Sequence, residues 1–312
     1  MYITRFLDDP GHSYMYFYGD NEYDESIQMT IDNILDKLDR FVYLVDNYTI
    51  IQDCSRDLRS VRPQDGFDFW KVNKYLLNYL NAVFCYHEFI KYYKPSLKKI
   101  ADEYWFVENG KFWYRFVCEY RDRVVHQSII IKNYDYRKDI PYVNLDELIE
   151  IQKRVIATEN REKYKERAQR FLDQIMMLYN SPHLVKNGKR YYKMTSIAQF
   201  ADQEIDEMSN KVFKSTYRYD IKPALSKLLE LVHFEDGENK LTYIVDKEKN
   251  ESILEPTATI EWFYAKMIHS LGTANPVCED IGSLLEAKGY CRYFEGYTEL
   301  ENLLKDKANA DV

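Results

Sequence analysis

Ser26-Ile27-Gln28-Met29-Thr30-Ile31-Asp32-Asn33-Ile34-Leu35-Asp36-Lys37-Leu38-Asp39-Arg40-Phe41-Val42-Tyr43-Leu44-Val45 sets Ile27, Ile31, Ile34, Leu35, Leu38, Phe41, Val42 and Val45 at the three-and-four spacing of one helix face. The spacing predicts a long amphipathic helix over residues 26–53. The same period returns in Phe69, Val72, Leu76, Leu77, Leu80, Phe84 and Phe89. A second helix is therefore expected over 67–93, entered after the turn-like Arg62-Pro63-Gln64-Asp65-Gly66 and ending near Pro95. With ten glycines and eight prolines in 312 residues, the chain is poor in the turns an all-β fold needs, so a mainly α fold is expected.

Upstream of this helix the chain is aromatic and acidic, and no regular element is expected before about residue 25. Asn109-Gly110, between Tyr104-Trp105-Phe106-Val107 and Phe112-Trp113-Tyr114, suits either a hairpin or a helix–helix turn. The stepping of Trp113, Phe116, Val117, Tyr120, Val124 and Ser128 favours the turn and a helix over 112–131. A loop containing Pro141 follows, and residues 146–179 read as one charged helix with Leu148, Ile151, Val155, Tyr164, Phe171, Leu172 and Ile175 inward. Four helices with short connections over residues 26–180 predict an antiparallel up-and-down bundle.

The texture changes after Ser181-Pro182, and a smaller α+β lobe is expected over 181–312 beside a bundle domain over 1–180. Leu184 to Tyr192 reads as a hairpin around Asn187-Gly188. Helices over 196–211 and 221–232 precede a second hairpin joining Asp236-Gly237-Glu238-Asn239 to Leu241-Thr242-Tyr243-Ile244-Val245, which is the element order of a winged helix. Helices are expected near 257–270, 277–287 and 297–307.

Several function classes lack support. The formal net charge of −8 argues against a large, uniformly basic nucleic-acid surface but leaves room for a local patch. No apolar run reaches membrane-spanning length, and a cytoplasmic location is expected. Cys54, Cys85, Cys118, Cys278 and Cys291 form no Cys-x-x-Cys pair and are read as reduced, mostly buried thiols. His87-Glu88 has Lys91 where a zinc helix requires its second histidine, and no phosphate loop, dinucleotide fingerprint or nucleophile elbow occurs, so neither metal nor cofactor is expected.

One constellation carries chemistry. Tyr120-Arg121-Asp122-Arg123-Val124-Val125-His126 puts an arginine and a histidine five residues apart on one helix with a polar residue after the arginine. At about 100° per residue their side chains point about 140° apart. With Trp113 as the origin of a helical wheel, Arg121 lies at the edge of the apolar stripe and His126 faces away from it. An outward histidine suits a two-fold interface that brings two copies of the segment together.

This stretch resembles the Arg-polar-x-x-x-His signature of the HEPN superfamily, helical-bundle proteins that build an RNA-cleaving site where two subunits meet. The resemblance covers roughly residues 26–180, and its specific part is the motif. It implies a homodimeric, metal-independent endoribonuclease that uses the RNA 2′-hydroxyl, of toxin or anti-phage type, with an antitoxin or defence-complex protein as a further partner. By the same analogy His126 is the general acid or base, Arg121 binds the scissile phosphate and Asp122 orients the pair.

Other signals weigh less. Arg123 is a candidate phosphate ligand, although pairing with its neighbour Asp122 in solvent is the favoured reading, and Glu119 reads as an exposed helical carboxylate. Lys189, Arg190 and Tyr191 are candidate RNA contacts, a basic turn beside an aromatic ring, although a solvated hairpin is commoner. The mixed charges of residues 150–170, Arg167 among them, read as a solvent-facing helix side. The 29 tyrosines are spread through the chain, which fits packing at half-buried faces better than a stacking platform. The competing function is a non-catalytic nucleic-acid-binding regulator or an adaptor subunit of a defence complex, working through the second lobe.

Overall fold

The computed structural model describes residues 14–18, 25–60, 69–106, 112–127, 133–135, 140–231, 234–235, 238–239, 241–246, 251–254 and 256–287. From the N-terminus the elements are β1 (Tyr14–Tyr18), α1 (Glu25–Ser60), α2 (Phe69–Tyr93), α3 (Pro95–Phe106), α4 (Trp113–Gln127), β2 (Asn133–Asp135), β3 (Ile140–Asn144), α5 (Leu145–Thr158) and α6 (Glu162–Asn180). They continue with β4 (Leu184–Lys186), β5 (Lys189–Lys193), α7 (Met194–Thr216), a π-helical turn (Tyr217–Ile221), α8 (Lys222–Leu231), β6 (Phe234–Glu235), β7 (Glu238–Asn239), β8 (Leu241–Asp246), β9 (Glu251–Leu254), α9 (Pro256–Leu271) and α10 (Pro276–Ala287). The fold is mainly α, with small antiparallel sheets. No described helix is long and apolar enough to cross a membrane.

Two compact units emerge, Met1–Asp46 with Phe213–Val312, and Asn47–Val212. The boundary expected between residues 180 and 181 does not coincide with this division. The hairpin of β4 and β5 adds to β3 in a four-stranded sheet of order β2-β3-β5-β4, which ties residues 184–193 to the helices before them. Its turn is the expected one: Asn187 and Gly188 both have positive φ, 51° and 72°, matching the strand twist.

Within the unit of residues 47–212, the helical register is legible in burial. Val72, Leu76, Tyr79, Leu80, Val83, Tyr86 and Ile90 form the buried side of α2. Tyrosines supply much of this core, and their hydroxyls find partners: Tyr79 donates to Asp202, Tyr48 to Asp206 and Tyr86 to Ser209. A buried phenol without such a partner would forfeit most of what its ring gains from burial.

Residues 146–179 form two helices, because Glu159 is extended at ψ 124° and its carboxylate turns back to accept the backbone N–H and the guanidinium of Arg161. With this break, and with the short helix α3 that the spacing did not predict, the described residues of 26–180 form six helices, α1 to α6, instead of four. The Pro141 loop is strand β3, in which Pro141 pairs only with β2 while the register with β5 begins at Tyr142. Proline is tolerated because no ladder hydrogen bond is asked of it on the β5 side.

In the other unit, Phe41 packs edge-on against Phe213 and tilted against Phe263, both with ring centroids 6.3 Å apart. Lys222 bonds Asp280, and Lys266 bonds Asp46 at 2.8 Å. The opening, expected to be irregular, contains β1, which pairs antiparallel with β8. Residues 241–246 consequently pair with β1 and β9, while β6 pairs with β7, so the second expected hairpin takes a different form. Between α7 and α8 the chain stays helical through the π-turn. Pro223 lacks the N–H that would close the ladder there. The helix expected over 297–307 lies outside the described residues.

Candidate functional site

Helix α4 carries the motif, and its position is fixed from its first turn. Phe112, Trp113 and Tyr114 donate their backbone N–H groups to the two carboxylate oxygens of Glu204 on α7, at 3.0, 2.9 and 2.9 Å. A buried carboxylate thus does the work of an N-cap and faces the positive end of the helix dipole. Farther along, Phe116, Val117, Tyr120 and Val124 are buried, as the helical wheel predicts.

Arg121 sits at the edge of that stripe. Its Nε donates to Oδ1 of Asn81 on α2 at 3.2 Å, its Nη1 donates to Asp122 at 3.3 Å, and its guanidinium lies 4.2 Å above the centroid of the Phe84 ring. Three contacts on two helices hold the guanidinium in one orientation. Asp122 is shared: its other oxygen accepts from Nη2 of Arg167 on α6 at 3.0 Å. Backbone residues of α4 extend through His126 to Gln127, but the His126 side chain lies outside the described residues.

Glu119 is corrected most sharply, because its side chain is 0% exposed. It accepts from Nε of Arg167, while Arg115 and Arg123 lie one turn before and after it on α4. Burial pushes the Glu119 carboxyl up from its usual range, against the opposing pull of Arg167, Arg123 and Arg115. Burial likewise lowers Arg115 and Arg123, whereas at Arg167 the attraction of Glu119 and Asp122 outweighs burial and raises it. Arg167 was expected on a solvated helix side; it instead turns inward to bridge two carboxylates. Arg123 is half-buried, its Nε has no hydrogen-bond partner among the described residues, and it is attracted by Glu119 first and by Asp122 second, so it belongs to the buried cluster more than to solvent.

The cluster borders a cleft of about 660 Å³ in the same unit, built by α2, α3, α4 and α6. Asp122, Arg167 and Phe84 line it together with His87. His87 is buried, bonded through Nδ1 to the Tyr114 hydroxyl, and burial is the main cause that lowers its pKa to about 4. At neutral pH it is an uncharged imidazole.

The hairpin candidates fall elsewhere. Arg190 stacks on the Tyr179 ring at 4.1 Å and its backbone N–H is held by Asp146. Lys189 is exposed at the strand start, and Tyr191 is only 6% exposed, its ring packed inward. Among the described residues no contact joins Lys189, Arg190 or Tyr191 to Arg121, Asp122 or Arg123. Sequence reading missed Arg167, Asn81, Phe84 and His87 as site neighbours. The Arg115, Glu119 and Arg123 stripe was in principle legible as an i, i+4, i+8 series.

No protein-family model, curated protein or solved structure matches the chain.

Proposed function

We propose that the chain is a metal-independent endoribonuclease of HEPN type, in which a HEPN-like helical bundle pairs with a second copy to compose the cleavage site. The observation that carries this reading is Arg121 itself: an arginine in the expected helical position whose guanidinium is oriented by Asn81, Asp122 and Phe84. A guanidinium already fixed loses little conformational freedom on gripping a phosphate, and its charge acts on the phosphorane without reorganising.

In the reaction so proposed, an imidazole of His126 takes the proton of the RNA 2′-hydroxyl and O2′ forms a bond to phosphorus. The P–O5′ bond breaks, O5′ receives a proton, and a 2′,3′-cyclic phosphate remains. Arg121 stabilises the charge that gathers on the non-bridging oxygens, and Asp122 keeps the guanidinium in place.

The test is incubation of purified protein with transfer and messenger RNA in chelator. Cleavage is expected, with a loss of about 10²-fold or more in His126→Ala and Arg121→Ala. Cleavage that persists in His126→Ala, or a protein that stays monomeric at every concentration, would remove the proposal. RNA affinity that falls steeply with salt but never leads to cutting would favour the non-catalytic regulator instead.

A further inference from the structure

The cleft beside the motif has a chemistry of its own. Six cationic side chains line it, Lys91 from α2, Lys98 from α3, Arg115 from α4, and Lys163, Arg167 and Arg170 from α6, against four carboxylates. A local cationic excess of this kind stands out in a chain of net charge −8.

The carboxylates are largely spent. Glu88 bonds Lys91 at 2.6 Å, Asp122 holds Arg121 and Arg167, and Glu166 lies 3.8 Å from Arg170. Only Asp102 has no ion pair among the described residues. Lys98 and Lys163 likewise have none, and Nε of Arg115 is buried without a hydrogen-bond partner. No ion pair accounts for Lys98 or Lys163, and Arg115, although it faces the buried Glu119, keeps a donor unmet. A half-buried guanidinium whose charge is disfavoured by burial, with a donor left unmet, costs the fold stability that a bound anion would return.

We propose that this cleft binds a small polyanion carrying two or more linked phosphates. Lys98 on α3 and Lys163 on α6 meet it, and Arg115 supplies the buried donor. A volume of about 660 Å³ is in the usual range for a small-molecule site. Cations arriving from four helices suit a compact multivalent anion better than an extended backbone, which would need a continuous basic track. The inference does not depend on RNA cleavage, and its test uses no RNA turnover.

Pyrophosphate and tripolyphosphate serve as probes, titrated calorimetrically into the full chain at constant ionic strength, with sulfate as the single-centre control. Saturable binding of tripolyphosphate is expected, at least about tenfold tighter than sulfate and weakening as salt rises. Lys98 and Lys163 are exposed, so Lys98→Gln with Lys163→Gln is expected to fold normally and to lose about tenfold in affinity. Lys153→Gln, an exposed change on α5 outside the lining, is expected to change nothing. Absence of polyphosphate binding, binding no tighter than sulfate, or equal binding by the double variant overturns the proposal. So does binding of a 5′-dephosphorylated single-stranded RNA that the double variant weakens while polyphosphates fail to bind.

Discussion

Replacing Glu204 by alanine should loosen α4 at its root. Three backbone N–H groups lose their acceptor, and the Tyr114 amide among them is buried and beyond water's reach. An unmet buried donor costs about 1–3 kcal/mol, a lost cap about 1, and the helix dipole loses its counter-charge for about 0.5 more. Phe112 and Trp113 are half-exposed, so water replaces part of their share, and about 3 kcal/mol is the expected total. Glu204→Gln keeps an oxygen acceptor and one site for these amides, so about half that loss is expected. Urea unfolding gives the totals, and amide exchange should show protection falling first in the initial turns of α4. Alanine within about 0.5 kcal/mol of wild type, or glutamine as costly as alanine, would refute the cap.

Two further outcomes follow from the buried charges. The folded-state pKa of His87, about 4 against 6.5 unfolded, means the unfolded chain binds the extra proton, so His87 should withdraw about 3 kcal/mol of stability as pH falls from about 6.5 to 4. Stability-against-pH curves of wild type and His87→Gln should separate over that window, and parallel curves would exclude the effect. Arg167→Met strands the wholly buried Glu119 and should cost about 3 kcal/mol at neutral pH, while Glu119→Gln added to it should recover part of the loss. Denaturation of the two variants checks this, and it fails if the second change deepens the first.

Much of the fold could be read from local periodicity because a helix writes its buried side into the sequence every three or four residues. The inward faces of α1 and α4 follow that pattern. On α2 Val72, Leu76 and Leu80 do, but Leu77, expected inward, is exposed, and Phe84 and Phe89 are only half-buried. Asn187-Gly188 turns as expected because the backbone there demands two residues tolerant of positive φ. Failures cluster where the deciding partner is distant in sequence. Strand β1 exists by pairing with β8 more than two hundred residues later, and its short aromatic run carries no turn or alternation that betrays the partner. The break after α5 turns on a carboxylate folding back onto Arg161, and a charged helix with i, i+4 pairs looks the same without it.

The site shows the same divide. Arg121 and Asp122 were visible because the motif is contiguous, but what fixes Arg121 comes from Asn81 and Phe84, forty and thirty-seven positions away. Glu119 shows why local charge logic misled: beside Arg115 and Arg123 it looks like one more surface ion pair, and only the arrival of Arg167 across the helix interface makes burial tolerable. A lone carboxylate there would be too costly to bury, and three arginines without it would repel one another. Each charge is therefore held in place by the others, which makes Asp122 more than a neighbour of the motif arginine. By binding Arg121 with one oxygen and Arg167 with the other, it links the expected phosphate ligand to the buried cluster and to the cleft beyond. A double-mutant cycle between Arg167 and Arg121 is expected to show coupling that vanishes in the Asp122→Asn background, and strict additivity would refute the link, whichever reaction the helix serves.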